Sequence, residues 1–155
     1  MGLNAEIIDK KSGNVAVSLK ALLADEQILA MRTREACENV GGRNMGELRG
    51  LFDRQRGSLD IIVADVSNRV RALGQNAPTM FRDSLATTRL ARHNERFTKQ
   101  DQIIEALIDD HEFMIRTLRM ESVVDEKTDI STAGFMIGLL GQHVEMAGSL
   151  KKWLL

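Results

Sequence analysis

Between Asn44 and Gly74 the chain carries an unbroken apolar row: Leu48, Phe52, Leu59, Ile62, Val63, Val66, Val70 and Leu73 recur at three- and four-residue steps. That is the α-helical period, and it keeps one face apolar for about seven turns. Asn44 with Glu47 three residues on predicts a capping box at the start. Gly74 predicts a C′ glycine at the end. Gly57, inside the row, costs ~1 kcal/mol against alanine. So long an amphipathic helix has to bury its stripe against other helices.

The rest of the chain supplies them. Residues 1–12 read as a short mixed-charge tail, with Ser12 as N-cap of a first helix over 13–39. That helix turns Val15, Leu19, Leu22, Leu23, Leu29 and Ala30 inward, and Glu26 falls near the stripe, which reads either as a partly buried acid with a partner or, as favoured here, as an edge position that water reaches. Gly41 and Gly42 make a tight corner into the 44–74 helix. Residues 74–98 form a long connection in which Pro78 forbids helix continuation and 80–93 suits a short crossing helix. Thr98 with Asp101 predicts the cap of a third long helix ending near Val124. The acidic corner Asp125, Glu126, Asp129 leads into a fourth over 130–154, with Met136, Leu139, Leu140, Met146, Leu150 and Trp153 in its stripe.

Two short connections force antiparallel neighbours, and the long one has room to cross the bundle. The reading is all-α: one four-helix bundle over 13–155 with a single long crossover, the ferritin-like topology. Composition agrees. Five Phe, one Trp, no Tyr and one Pro among 155 residues leave the core to aliphatic side chains and give no strand signal. A formal net charge of −1 argues against a polycation built for nucleic acid. The lone Cys37 excludes an internal disulfide. With no secretory pattern and no apolar run of membrane-spanning length, the cytoplasm is the expected location.

The same segments carry a family resemblance. TRxxxxNVxGxNMxELxxLFDxQ (33–55) followed by RVRALG (69–74) resembles the signature of the Dps mini-ferritins, the starvation-induced cages of the ferritin superfamily. LLADEQILAMRTR (22–34), LIDDHEFMIRTLR (107–119) and GLLGQHVEMAGSLKKWL (138–154) are similar to further anchors in the same order. The resemblance runs from about Val15 to Leu154. It implies a hollow, dodecameric homo-oligomer, stress protection through iron sequestration or storage, and in some relatives DNA binding. It also leaves room for an active paralogue as partner.

At the metal ligands the resemblance breaks. A di-iron site inside one bundle uses Glu and Glu-x-x-His pairs, and no Glu-x-x-His occurs here. His111 and His143 lie on apolar stripes without a carboxylate three residues before them, which reads as hydrogen-bonded core histidine. Dps proteins instead share iron between two-fold partners. Position by position, the resemblance places their two His on Cys37 and Arg49, an Asp on Asp53, and the partner's Asp and Glu on Ala64 and Asn68. Arginine cannot ligate a metal, and alanine has no donor atom. In one reading Arg49 pairs with Asp53 one turn on, or with Asp65 or Asn68 of a neighbour. In the other, Cys37, Asp53 and Asp65 hold a different metal or a cofactor.

Three functions follow for testing. The first is a storage or structural cage lacking the standard ferroxidase centre, with iron stored or in transit. The second is a ferroxidase with other ligands. The third is a DNA-compacting protein, whose contacts would come from Lys10 and Lys11 and from the basic connection, Arg89, Arg92 and Arg96. Asp125, Glu126 and Asp129 would line a cation pore in a relative's cage, or else serve only as a solvated helix cap. No Gly-rich phosphate loop, Ser-His-Asp order or Cys-His pair points elsewhere.

Overall fold

The computed structural model describes residues 2–155 apart from Thr79, residues 94–96 and residues 126–127, with side chains from Gly13 onward. Its elements are α1 (Gly2–Asn39), α2 (Met45–Ala72), α3 (Phe81–Thr87), α4 (Gln100–Glu121) and α5 (Ile130–Lys151), closed by a 3-10 turn, Lys152–Leu154. The chain is all-α, and α1 with α2 and α4 with α5 form the two tightly packed pairs. The crossover between α2 and α4 carries α3, which lies against α1.

Burial selects the rows expected from periodicity. Leu48, Phe52, Leu59, Ile62, Val66 and Val70 of α2 are closed off from solvent, as are Leu22 and Leu29 of α1, Ile104, Met114 and Leu118 of α4, and Met136 and Leu150 of α5. They form one continuous core. Trp153, expected inward, is only partly buried at its edge.

Gly74 ends α2 as expected. Its φ is 76°, its N–H donates to the Arg71 carbonyl at 2.9 Å, and Gln75 N–H donates to the Val70 carbonyl at 3.3 Å. Those two bonds make a Schellman motif.

Three local expectations are corrected. Residues 2–12 continue α1 instead of forming a tail, so no helix starts after Ser12. Once the buried row has nucleated the helix, each further residue needs only propagation, and no proline stands in the way. The capping box at Asn44 does not form. The corner needs left-handed backbone at Gly42 (φ 95°) and at Asn44 (φ 52°), and asparagine tolerates it. Its carbonyl, not its side chain, meets α2, accepting from the N–H groups of Glu47 and Leu48, both at 3.1 Å. Gln100 pins the corner from the start of α4, donating to the carbonyls of Gly41 at 3.1 Å and Arg43 at 2.8 Å. Finally, α4 starts after Lys99 rather than Thr98 and stops at Glu121, and α3 is shorter than 80–93.

Candidate functional site

Glu26 of α1, His111 of α4 and His143 of α5 meet in the bundle with no solvent exposure. Nε2 of His143 lies 2.6 Å from Glu26 Oε1, and its Nδ1 lies 2.9 Å from Nδ1 of His111. The protons follow from chemistry. Where Glu26 is ionised it only accepts, so His143 donates to it from Nε2, and of the two facing Nδ1 atoms one donates and the other accepts. His111 Nε2 and Glu26 Oε2 have no partner among the described residues. Burial, and then the adjacent His143, lower the His111 pKa to about 3. The expectation of hydrogen-bonded core histidines holds in part: each ring is bonded, and the partner of His143 is Glu26. That corrects Glu26 from a water-reached edge to a core position. The available signal was its place between Leu22 and Leu29 on the inward stripe, at helical spacing.

This chain does not fit the in-bundle di-iron centre of ferritin-like proteins, which requires several carboxylates and imidazoles converging on the metal. Both nitrogens of His143 and one of His111 are committed to one another or to Glu26. Among the described residues no group of three or more His, Cys, Asp or Glu is arranged to hold a metal ion.

The positions singled out by resemblance lie at the α1–α2 corner and along the outer face of α2. Cys37, in the last turn of α1, and Arg49 are cross-tied. Arg49 Nε donates to the Cys37 carbonyl at 3.1 Å, and the Cys37 thiol donates to the Arg49 carbonyl at 3.6 Å. The expected Arg49–Asp53 pair is therefore corrected. Asp53 pairs instead with Arg56 at 2.8 Å, on an exposed surface. The i,i+3 step with the acid first places the two side chains on one side of the helix, and the guanidinium of Arg49 is turned back to α1. Ala64, Asp65 and Asn68 are exposed on α2, and Asn68 accepts from Arg71. These residues do not fit a di-iron centre: Arg49 is a guanidinium tethered to the backbone of α1, Ala64 has no donor atom, and Asp53 is the one carboxylate of the five.

Arg89 of the basic connection serves the fold. Asp25, unexposed on α1, accepts from the Thr88 hydroxyl at 2.8 Å, the Arg89 N–H at 2.7 Å and the Arg89 Nε at 2.8 Å. Arg89 also pairs with Glu121 of α4. Arg32 Nη1 donates to both oxygens of Asp110, at 2.8 and 2.9 Å, and its Nη2 to the Ala91 carbonyl at 2.6 Å. Burial raises the Asp110 pKa against the opposing pull of Arg32 and His93. Arg89 is thus a clasp between α1, the crossover and α4, which composition did not reveal. Arg92 is exposed, whereas Arg96 and the side chains of Lys10 and Lys11 lie outside the described residues.

At the α4–α5 corner, Asp125 Oδ1 accepts from the Thr128 N–H at 3.0 Å, and Asp129 caps α5 by accepting from the Thr132 N–H at 2.7 Å. Glu126 lies outside the described residues. No helix among the described residues is long and apolar enough to cross a membrane.

Residues 17–154 match the family model for a ferritin-like domain. A low temperature-induced protein of Nostoc sp., itself uncharacterised, is 27% identical over 98% of this chain and 86% of its own length. The fold is similar to that of Dps from Thermosynechococcus elongatus (TM-score 0.86, 20% identity, 94% of this chain and 92% of that one). DpsC from Streptomyces coelicolor gives a TM-score of 0.88 at 20% identity, over 94% and 86% of the two chains.

Proposed function

Because the chain belongs to the ferritin-like family, we propose that it is the subunit of a closed Dps-like cage that sequesters or stores iron under stress, without the standard ferroxidase centre between subunits. The observation that carries the second half is the cross-tie of Cys37 and Arg49. It fills the α1–α2 corner with a permanent cation and leaves Asp53 as the one carboxylate of the expected set. Iron in this reading is cargo. It is taken up as a substrate and held inside the shell, and oxidation there proceeds at close to the rate in free solution.

The name of the Nostoc relative, a low temperature-induced protein, supports a role in stress. A thiol at Cys37 and the absence of a membrane-length helix among the described residues are compatible with a cytoplasmic cage. DNA compaction has less to rest on, since Arg89 is occupied by Asp25 and Glu121.

Two measurements on the purified chain test this reading. Light scattering should report a closed particle of about twelve copies, as expected of a ferritin-like shell. Aerobic addition of ferrous iron should show slow oxidation with no saturable burst. A stable monomer would overturn the cage, and fast stoichiometric oxidation would overturn the missing centre.

A further inference from the structure

The two tightly packed helix pairs, α1 with α2 and α4 with α5, leave a seam between α2 and α5. Along it runs a cleft in two chambers, about 470 and 210 Å³, that share Leu51, Arg54 and Ser149. Volumes of this size suit a small molecule. None of Cys37, Arg49, Asp53, Ala64 or Asn68 lines it, so a ligand there does not draw on the residues where two-fold partners would share iron.

The wider chamber is the apolar end. Trp153, partly buried, and Leu51 line it, and Gly46 and Gly50, one turn apart on α2, keep it open because neither brings a side chain. A Cβ at Gly50 would stand 3.4 Å from Arg54 Nη1, so the guanidinium lies beside that glycine. The narrower chamber is the polar end. Gln55 is 4% exposed and lines it together with Arg54 and Glu145. Gln55 Nε2 donates to the Met146 carbonyl at 3.0 Å. A carbonyl only accepts, so the amide cannot be turned over, and Oε1 is left buried with no partner among the described residues. A buried acceptor without a donor is destabilising, and a ligand that brings a donor removes that penalty.

Charge narrows the choice of ligand. Two cations, Arg54 and Lys152, and two carboxylates, Glu47 and Glu145, line the cleft. None of the four forms an ion pair among the described residues. A lining with both signs unpaired and no net charge favours a zwitterion over a simple anion or cation. We propose that the cleft binds a free α-amino acid with a large apolar side chain. The side chain sits against Trp153 and Leu51, where burial of an aromatic ring is most favourable. The carboxylate takes the Arg54 guanidinium, and the ammonium donates to Glu145 and to Gln55 Oε1.

Trp153 is the only tryptophan and the chain has no tyrosine, so tryptophan fluorescence reports on the cleft alone. L-Phenylalanine, added to the purified full chain in its assembled state, should change that emission saturably, and calorimetry should give the same dissociation constant. Glycine has the two charges without the side chain, N-acetyl-L-phenylalanine lacks the ammonium, and L-phenylalaninamide lacks the carboxylate. Each should bind at least about tenfold more weakly. Arg54 is exposed, so Arg54→Met should keep the helicity and particle size of the parent while weakening L-phenylalanine by a similar factor. No saturable response to L-phenylalanine, an equal response to glycine or to either blocked analogue, or undiminished binding by Arg54→Met overturns the proposal.

Discussion

His143 and His111 face each other through their Nδ1 atoms at 2.9 Å, both rings without solvent exposure, and this contact ties α5 to α4 at the centre of the bundle. A pair of this kind holds one proton between two nitrogens. Two imidazolium ions could not occupy it, since each would point an N–H at the other. Its energetic worth therefore depends on pH.

His111 is held neutral in the fold, its pKa lowered to about 3, whereas an unfolded chain takes a proton near pH 6.5. Between those values the unfolded state binds more protons. The contribution of the neutral ring is complete above about pH 6.5 and is lost as pH falls, at up to ~1.4 kcal/mol per pH unit. Urea unfolding should show about 3 kcal/mol less stability at pH 4 than at pH 7 from this group alone. His111→Asn keeps an amide near the Nδ1 position and cannot titrate, so its profile should be flatter over that range. An unchanged slope would place the acid sensitivity elsewhere.

Arg89→Ala should destabilise the subunit by about 2–3 kcal/mol, because it leaves the unexposed Asp25 carboxylate without its countercharge. Arg92→Ala, on the exposed part of the same connection, should fall within about 0.5 kcal/mol of the parent. Chemical denaturation of the two variants separates a structural clasp from a solvated basic patch. Equal effects would contradict the distinction.

At the α1–α2 corner, Cys37→His, Arg49→His, Ala64→Asp and Asn68→Glu made together should create a saturable ferrous-oxidation burst. Any one alone should not, because iron chemistry of this kind needs several imidazole and carboxylate ligands at once. Stopped-flow absorbance reads the outcome. A burst from a single substitution would show that the remaining residues already supply most of a site.

At the α4–α5 corner the charge and the cap can be separated. Asp125→Asn, Glu126→Gln and Asp129→Asn together keep oxygen acceptors for Thr128 and Thr132, since asparagine caps a helix about as well as aspartate. The triple variant should stay assembled and take up ferrous iron more slowly, if these acids focus negative potential at a pore. Uptake at the parent rate would leave them as a turn and a cap alone. Asp129→Ala should separately cost about 1 kcal/mol.

What the sequence determined by itself was the architecture. The Leu48–Leu73 row, the absence of proline outside position 78 and the unequal connection lengths force long helices, antiparallel pairs and one crossover. These are local consequences of a 3.6-residue period and of chain reach. Gly74 was legible for the same reason: a helix end needs a left-handed residue, and glycine supplies it. Asn44 was not, because an asparagine serves equally as a side-chain cap or as a left-handed corner, and the choice fell to Gly42 and to Gln100, which is distant in sequence. Only the tertiary structure decided the polar partners. Glu26 and His143 are 117 residues apart, and Asp25 and Arg89 are 64 apart. Helical periodicity places each on a face but carries no axial register between helices, and that register decides whether a buried charge finds its partner.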